Sequence, residues 1–161
     1  MCTMHAEDLD SAVKRLTQKP MEISPAYIPL MNIVLSIKRV HLTKDNEKKS
    51  YRRVITVNEI ADYEDYRTAF KWHPSKDDYL VDLDESIILS SISERQGMTK
   101  KDLLEEVGRR TAVLHWMRER NIRSYKEVAA IISEYYTRPW QTYEKILAGE
   151  EVRAVAASRD A

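Results

Sequence analysis

Two residues near the start of the chain have side chains that could work on the same ligand. Thr3 and His5 stand in "MCTMHAEDLD", directly ahead of an amphipathic segment. Imidazole titrates near neutral pH, and it can donate a hydrogen bond to a phosphate oxygen or polarise a water. A helix N-terminus beside it adds free amides and partial positive charge, which suits an anion. From spacing alone, a surface histidine near a terminus is the plainer reading.

The other chemical groups are more scattered. His41, His73 and His115 share no spacing and read as surface histidines of separate elements. Glu7, Asp8 and Asp10, and again Asp82, Asp84 and Glu85, could hold a divalent ion. Helix capping explains both sets more simply, so no metal is expected. Arg109, Arg110, Arg118, Arg120 and Arg123 could meet nucleic acid as a helix-turn-helix does. Glu105, Glu106 and Glu119 interleave with them, which favours a salt-bridged, solvated face. Trp72, Trp116, Trp140 and the pair Tyr135–Tyr136 could face a partner, with core packing as the default.

Composition narrows the options. The 161 residues suffice for one domain or two small subdomains. Lys+Arg and Asp+Glu are equal at 26 each, so the overall basic excess of a nucleic-acid-binding domain is missing. Charged residues at 32% suit a soluble cytoplasmic protein. Cys2 is the single cysteine, so no internal disulfide can form. No apolar run spans a bilayer, and a membrane role is expected to work through a partner. Gly97, Gly108 and Gly149 are the only glycines, so the clustered glycines of a phosphate-cradling loop are absent.

Periodicity predicts an α+β chain: an N-terminal helix, an antiparallel β-meander and a helical C-terminal subdomain. Leu9, Val13 and Leu16 mark a helix over 6–16, with Glu7 and Asp8 in its first turn. Pro20, Pro25 and Pro29 punctuate an ordered link with one short helical turn after Pro25. Alternating runs over 32–42, 51–61, 66–72 and 78–83 predict four strands, the first two forming a long charged hairpin around the polar turn "TKDNEKKS". A helix follows over 84–96, stopped by Gly97. Thr99 with Asp102 reads as a helix-start signal, and Ser124 with Glu127 as a capping box. Between them lies a helix carrying Leu103, Leu104, Val107, Thr111, Leu114 and Met117, ended by Asn121. The next helix is expected to bury Val128, Ile131, Ile132 and Tyr135. A last helix runs from Pro139 to Gly149. The expected domains are 1–83, 84–149 and a frayed tail, 150–161.

The stretch "TMHAEDLDSAVKRL" resembles the histidine box of the secretion motor ATPases, the hexamers of type II secretion, type IV pili and the archaellum. In that family a Thr-x-His-Ala-like segment ends a core strand and leads into a helix ending in Arg-Leu. "KPMEISPAYIPLMNIVLSIKRV" is similar to the archaeal branch, where a proline-rich link enters an apolar strand. "RTAVLHWMRERNIRSYKEVAAIISEYY" is similar to its C-terminus, a Val-Leu-x-Trp-Met helix and then a helix ending in paired tyrosines. The resemblance covers about residues 2–148, with three segments in the family's order.

The resemblance implies the C-terminal portion of a RecA-like secretion ATPase domain. His5 would couple the nucleotide's γ-phosphate to subunit closure, Thr3 would lie beside it, and Arg15 would end the helix behind it. The family's Walker A loop, acidic box and Walker B segment precede the histidine box, so this chain is expected to be the later part of such an enzyme. ATP and magnesium would belong to the full-length parent, with none expected for this chain alone. The implied partners are the remaining N-terminal part, neighbouring subunits of a hexamer and, indirectly, a membrane platform protein. The location is cytoplasmic and peripheral to the membrane, and nucleic acid is not expected. Leu9, Ile33 and Leu35 are expected to be exposed where missing core strands would cover them. The alternative is a stand-alone, non-enzymatic interaction module derived from such a motor.

Overall fold

Asp8 decides where the first helix begins. Its carboxylate accepts the Ser11 amide at 2.9 Å, so Asp8 is the N-cap and α1 runs Leu9–Thr17 in the computed structural model, which describes residues 2–44 and 46–149. Glu7 and Asp8 therefore lie ahead of the first turn expected to hold them, and Asp10 occupies it. Hydrogen bonds from the Ser11 side chain and from its amide hold the Asp8 carboxyl below the usual carboxylate range.

The chain divides into two compact units, Met1–Met98 and Thr99–Ala161. In the first, α1 buries Leu9, Ala12 and Val13 at helical spacing. The prolines after it build a 3₁₀ segment, Pro25–Met31, whose Ile28 is 2% exposed. Leu9, Val13, Ile28 and Ile60 form one core, with Val34 and Tyr66 packed against it. Leu9 is thus buried and not exposed as expected.

The sheet beneath is an antiparallel meander, β1 (Ile33–Lys44), β2 (Glu47–Asp62), β3 (Asp65–His73) and β4 (Asp78–Val81), in that spatial order. The β1–β2 hairpin is tighter than the polar run suggested: Lys44 pairs with Glu47, and Asn46 turns with φ 60°. Polar residues continue the ladder there because a solvated ribbon needs only its backbone paired. Farther along, Asn58 is buried beside a bulge, accepting from Thr68 Oγ1 at 2.9 Å and donating to Thr56 Oγ1 at 3.0 Å. Arg53 donates to both Asp77 oxygens, at 2.7 and 2.9 Å, and Trp72 Nε1 donates to the same carboxylate at 3.1 Å. This carboxylate pins the β3–β4 turn to β2.

Glu59 sets the unit boundary. It is 5% exposed, and its carboxylate accepts Ser86 Oγ at 2.7 Å, the Ile87 amide at 2.7 Å and the Ile88 amide at 3.3 Å. Helix α2 (Ile87–Gln96) is thereby anchored by its N-terminus to β2. It starts at Ile87, not residue 84, because Ser86 and Glu59 together take its first amides. It also belongs with the sheet, so the division falls after Met98 and not at residue 84. Gly97 closes it in the left-handed region, φ 66°.

The second unit holds α3 (Lys100–Glu119), α4 (Tyr125–Thr137) and α5 (Pro139–Leu147). Thr99 and Asp102 start α3 as expected, and they do so as a capping box. Ser124 precedes α4, but its hydroxyl makes no cap bond; the Val128 amide on the Ser124 carbonyl, 3.0 Å, starts that helix. The core is Val113, Trp116, Met117, Ile131, Tyr135 and Ile146. The buried face of α3 differs from the one its apolar spacing predicted: Leu104, Val107 and Leu114 are exposed. Ile132 is likewise 38% exposed. The tail, 150–161, lies outside the described residues.

Ile28→Ala should remove the most enclosed apolar side chain of the first core and destabilise that unit by about 2–5 kcal/mol. The expected reading is lost amide-exchange protection in β2, with α3–α5 unchanged.

Candidate functional site

The segment with the two candidate residues is irregular, and both Thr3 and His5 are exposed. Arg15, one turn from the end of α1, donates from Nη1 to the His5 carbonyl at 2.6 Å. That bond reaches back across ten residues and fixes the main chain of the segment against the helix. His5, Glu7, Ser11 and Arg15 then line an open cleft of about 500 Å³ with Met4, Ala6 and Ile37. Thr3 is not among the lining residues. The cleft offers an imidazole and a guanidinium to an anion, with one opposing carboxylate, while the Ser11 hydroxyl is already bonded to Asp8. This donor set fits one phosphate group. It does not cradle a triphosphate and its metal.

The remaining sequence candidates do not converge. Ser75 Oγ lies 3.1 Å from His73 Nδ1, and His41 is an exposed strand residue. Among the described residues no three His, Cys, Asp or Glu side chains form a group able to hold a metal ion. Among the described residues no helix is long and apolar enough to cross a membrane.

The arginine-rich helices contain a site that composition did not single out. Glu106 accepts Arg109 Nε and Nη2 on Oε2, at 3.1 and 2.8 Å, and Arg110 Nε on Oε1 at 2.7 Å. Tyr135 OH of α4 donates to the same Oε2 at 3.0 Å. Arg109 lies over the Trp140 ring at 4.3 Å, and Arg110 over the Tyr136 ring at 5.1 Å. Arg120 lies over Trp116 at 4.8 Å and donates to the Gly149 carbonyl at 2.7 Å. Four of the five arginines expected on a solvated face are therefore engaged within the unit, Arg123 through a bond from Nε to Asn121 Oδ1 at 3.0 Å. The sequence signal was present: Glu106 shares the helical spacing of Leu103, Val113 and Met117, the buried face.

Burial pushes the Glu106 carboxyl up, but hydrogen bonds from Arg110, Arg109 and Tyr135 outweigh it and hold it below the usual glutamate range. Burial, and then the Glu106 carboxylate, push the Tyr135 phenol up. Tyr136 and Trp140 themselves remain 67% and 59% exposed.

No family model matches the sequence. Three uncharacterized proteins of Methanocaldococcus jannaschii are similar to it. Uncharacterized protein MJ0781 is 27% identical over 150 residues, 90% of this chain and 20% of its own length. Uncharacterized protein MJ0900 is 27% identical over 158 residues, 92% of this chain and 27% of its own length. Uncharacterized protein MJ1287 is 25% identical over 121 residues, 71% of this chain and 43% of its own length. The chain thus spans less than half the length of each of these relatives.

A carboxyl whose folded value is lowered contributes stability above its unfolded value and loses it as pH falls through the folded one. Glu106→Gln should therefore destabilise the helical unit by about 1–3 kcal/mol at neutral pH. The difference from the wild type should vanish below the usual glutamate range, as read by denaturation at a series of pH values. In a separate measurement, Arg15→Ala should speed amide exchange in residues 4–7 and leave the sheet unaffected.

Proposed function

We propose that this chain is the C-terminal part of a hexameric archaeal motor ATPase of the secretion and pilus type. The full enzyme would hydrolyse ATP in the cytoplasm, at the base of a membrane platform, and pass subunit movement to filament or substrate export. This part would supply the histidine-box segment, with His5 sensing the γ-phosphate and Thr3 beside it, and a helical subdomain that meets neighbouring subunits or the platform.

One observation carries the reading. Arg15 holds the His5 main chain at 2.6 Å while the exposed His5 side chain lines an open cleft. That arrangement suits a sensor for an anion presented from another segment. Two further facts support it. Ile33, Leu35 and Ile37, which share one face of an edge strand, are 43%, 54% and 61% exposed. Such a face gains by being covered. The similar proteins also extend well beyond the matched region. A second reading, a non-enzymatic interaction module, is favoured by the second unit's own core and its exposed Tyr136 and Trp140.

Phosphoryl transfer needs the phosphates cradled and magnesium held before charge stabilisation acts. His5 and Arg15 supply neither, so the purified chain should show no ATP hydrolysis above background. Sustained turnover that His5→Ala abolishes would overturn the proposal. The DNA upstream of Met1 is the direct test. An in-frame Walker A loop and acidic box support a motor subunit, whereas a stop codon with no such segment adjoining it leaves the interaction module.

A further inference from the structure

The zero net charge of the chain hides a strong separation of charge within its first unit. From Lys38 to Arg53 the sequence holds seven Lys and Arg against Asp45 and Glu47. The strands there form a two-stranded ribbon, because β3 joins β2 only from Thr56 onward. Directly opposed residues share a face, so Arg39–Arg52, His41–Ser50 and Thr43–Lys48 lie on one side. All six are exposed, and none is acidic. Arg39, Lys48 and Arg52 make no ion pair among the described residues. Like charges placed directly across a ladder destabilise it, so Arg39 opposite Arg52 costs the isolated chain stability.

The opposite end of the same sheet is acidic. Asp62, Glu64 and Asp65 surround the β2–β3 turn, and Asp82, Asp84 and Glu85 precede α2; all six are exposed, whereas Glu59 is buried and engaged by α2. Arg67 is the single cation in the stretches 59–68 and 82–86. Asp65, Asp82 and Glu85 line one cleft of about 410 Å³ with Arg67, which pairs with Glu85 at 3.2 Å and leaves Asp65 and Asp82 as its surplus acids. The two ends cannot meet within one molecule. β2 has 16 residues, and at about 3.3 Å per residue its ends stand roughly 50 Å apart.

We infer that the basic β1–β2 ribbon docks onto the acidic β2–β3 end of a second copy of this chain. Charge complementarity selects that occupant, because the ribbon's surplus of positive charge is balanced by the rest of the same chain. The contact is head-to-tail, so it builds a closed ring or an open filament according to the rotation between copies. It needs neither a nucleotide nor the histidine-box segment, and it stands whether or not the motor reading does.

Sedimentation velocity of the full chain tests this at two ionic strengths. At about 0.01 M salt, where charges act over roughly 30 Å, the chain should self-associate; at about 1 M, where they act over roughly 3 Å, it should be monomeric. The ribbon variant Arg39→Glu/Lys48→Glu/Arg52→Glu and the end variant Glu64→Lys/Asp65→Lys/Asp82→Lys should each be monomeric alone. Mixed together they should associate, since the reversed charges again complement one another. Far-UV circular dichroism checks that both variants keep the sheet. A wild type that stays monomeric at low salt overturns the inference. So does association that persists at high salt, which would place the contact on the apolar face of β1. Retention of duplex DNA by a monomeric wild type, lost in the ribbon variant, would assign the ribbon to nucleic acid instead.

Discussion

An ionised carboxylate withdrawn from water costs several kcal/mol unless donors replace its hydration. In the first unit that constraint falls on Glu59, 5% exposed on the last turn of a long strand. Three donors answer it, and all three come from the start of α2: one hydroxyl and two amides that a helix N-terminus leaves unpaired. Each side meets the other's need. The strand's charge is solvated by the helix, and the helix acquires a fixed starting point. The extent of the first unit follows, because α2 travels with β2 and the chain divides only after Met98.

The second unit repeats the device with a different set of donors. Glu106 lies on the inward face of α3 and is satisfied by Arg109, Arg110 and the Tyr135 hydroxyl. The two arginines in turn lie over Trp140 and Tyr136, so one carboxylate on α3 organises side chains from α4 and α5. Arg120 closes the other end of the bundle through the Gly149 carbonyl. Arg109, Arg110 and Arg120, which might have formed part of a basic face, are thereby turned to internal use. Positive charge that remains available is found on the β1–β2 ribbon, where it meets no local acid on the Arg39–Arg52 face.

The candidate histidine segment differs from both carboxylate sites in being held by its main chain. Arg15 grips a carbonyl and leaves the imidazole of His5 exposed. A side chain that packs nothing is not needed for stability in the way that Leu9 or Ile28 is. Its position beside an arginine is what supports a sensing role. The apolar triplet Ile33, Leu35 and Ile37 lies on the opposite side of β1 from Val34, whose side packs on the first core. One side of that strand is used and the other is not, which supports reading the chain as part of a larger assembly.

Local rules fixed much of this from sequence. The four strands, their antiparallel order, the long charged hairpin, the Thr99–Asp102 box and the stops at Gly97 and Gly149 each depend on residues close in the chain. The bond from Arg15 to the His5 carbonyl was not legible in this way: spacing left His5 a surface histidine, and Arg15 entered the site only through the family resemblance. What tertiary structure alone decided involves partners far apart in sequence. Glu59 meets Ile87 across 28 residues and Glu106 meets Tyr135 across 29. Those contacts moved the start of α2, the unit boundary and the buried face of α3. Periodicity finds an apolar stripe, but a buried carboxylate reads locally as a surface residue until its distant donors are in place.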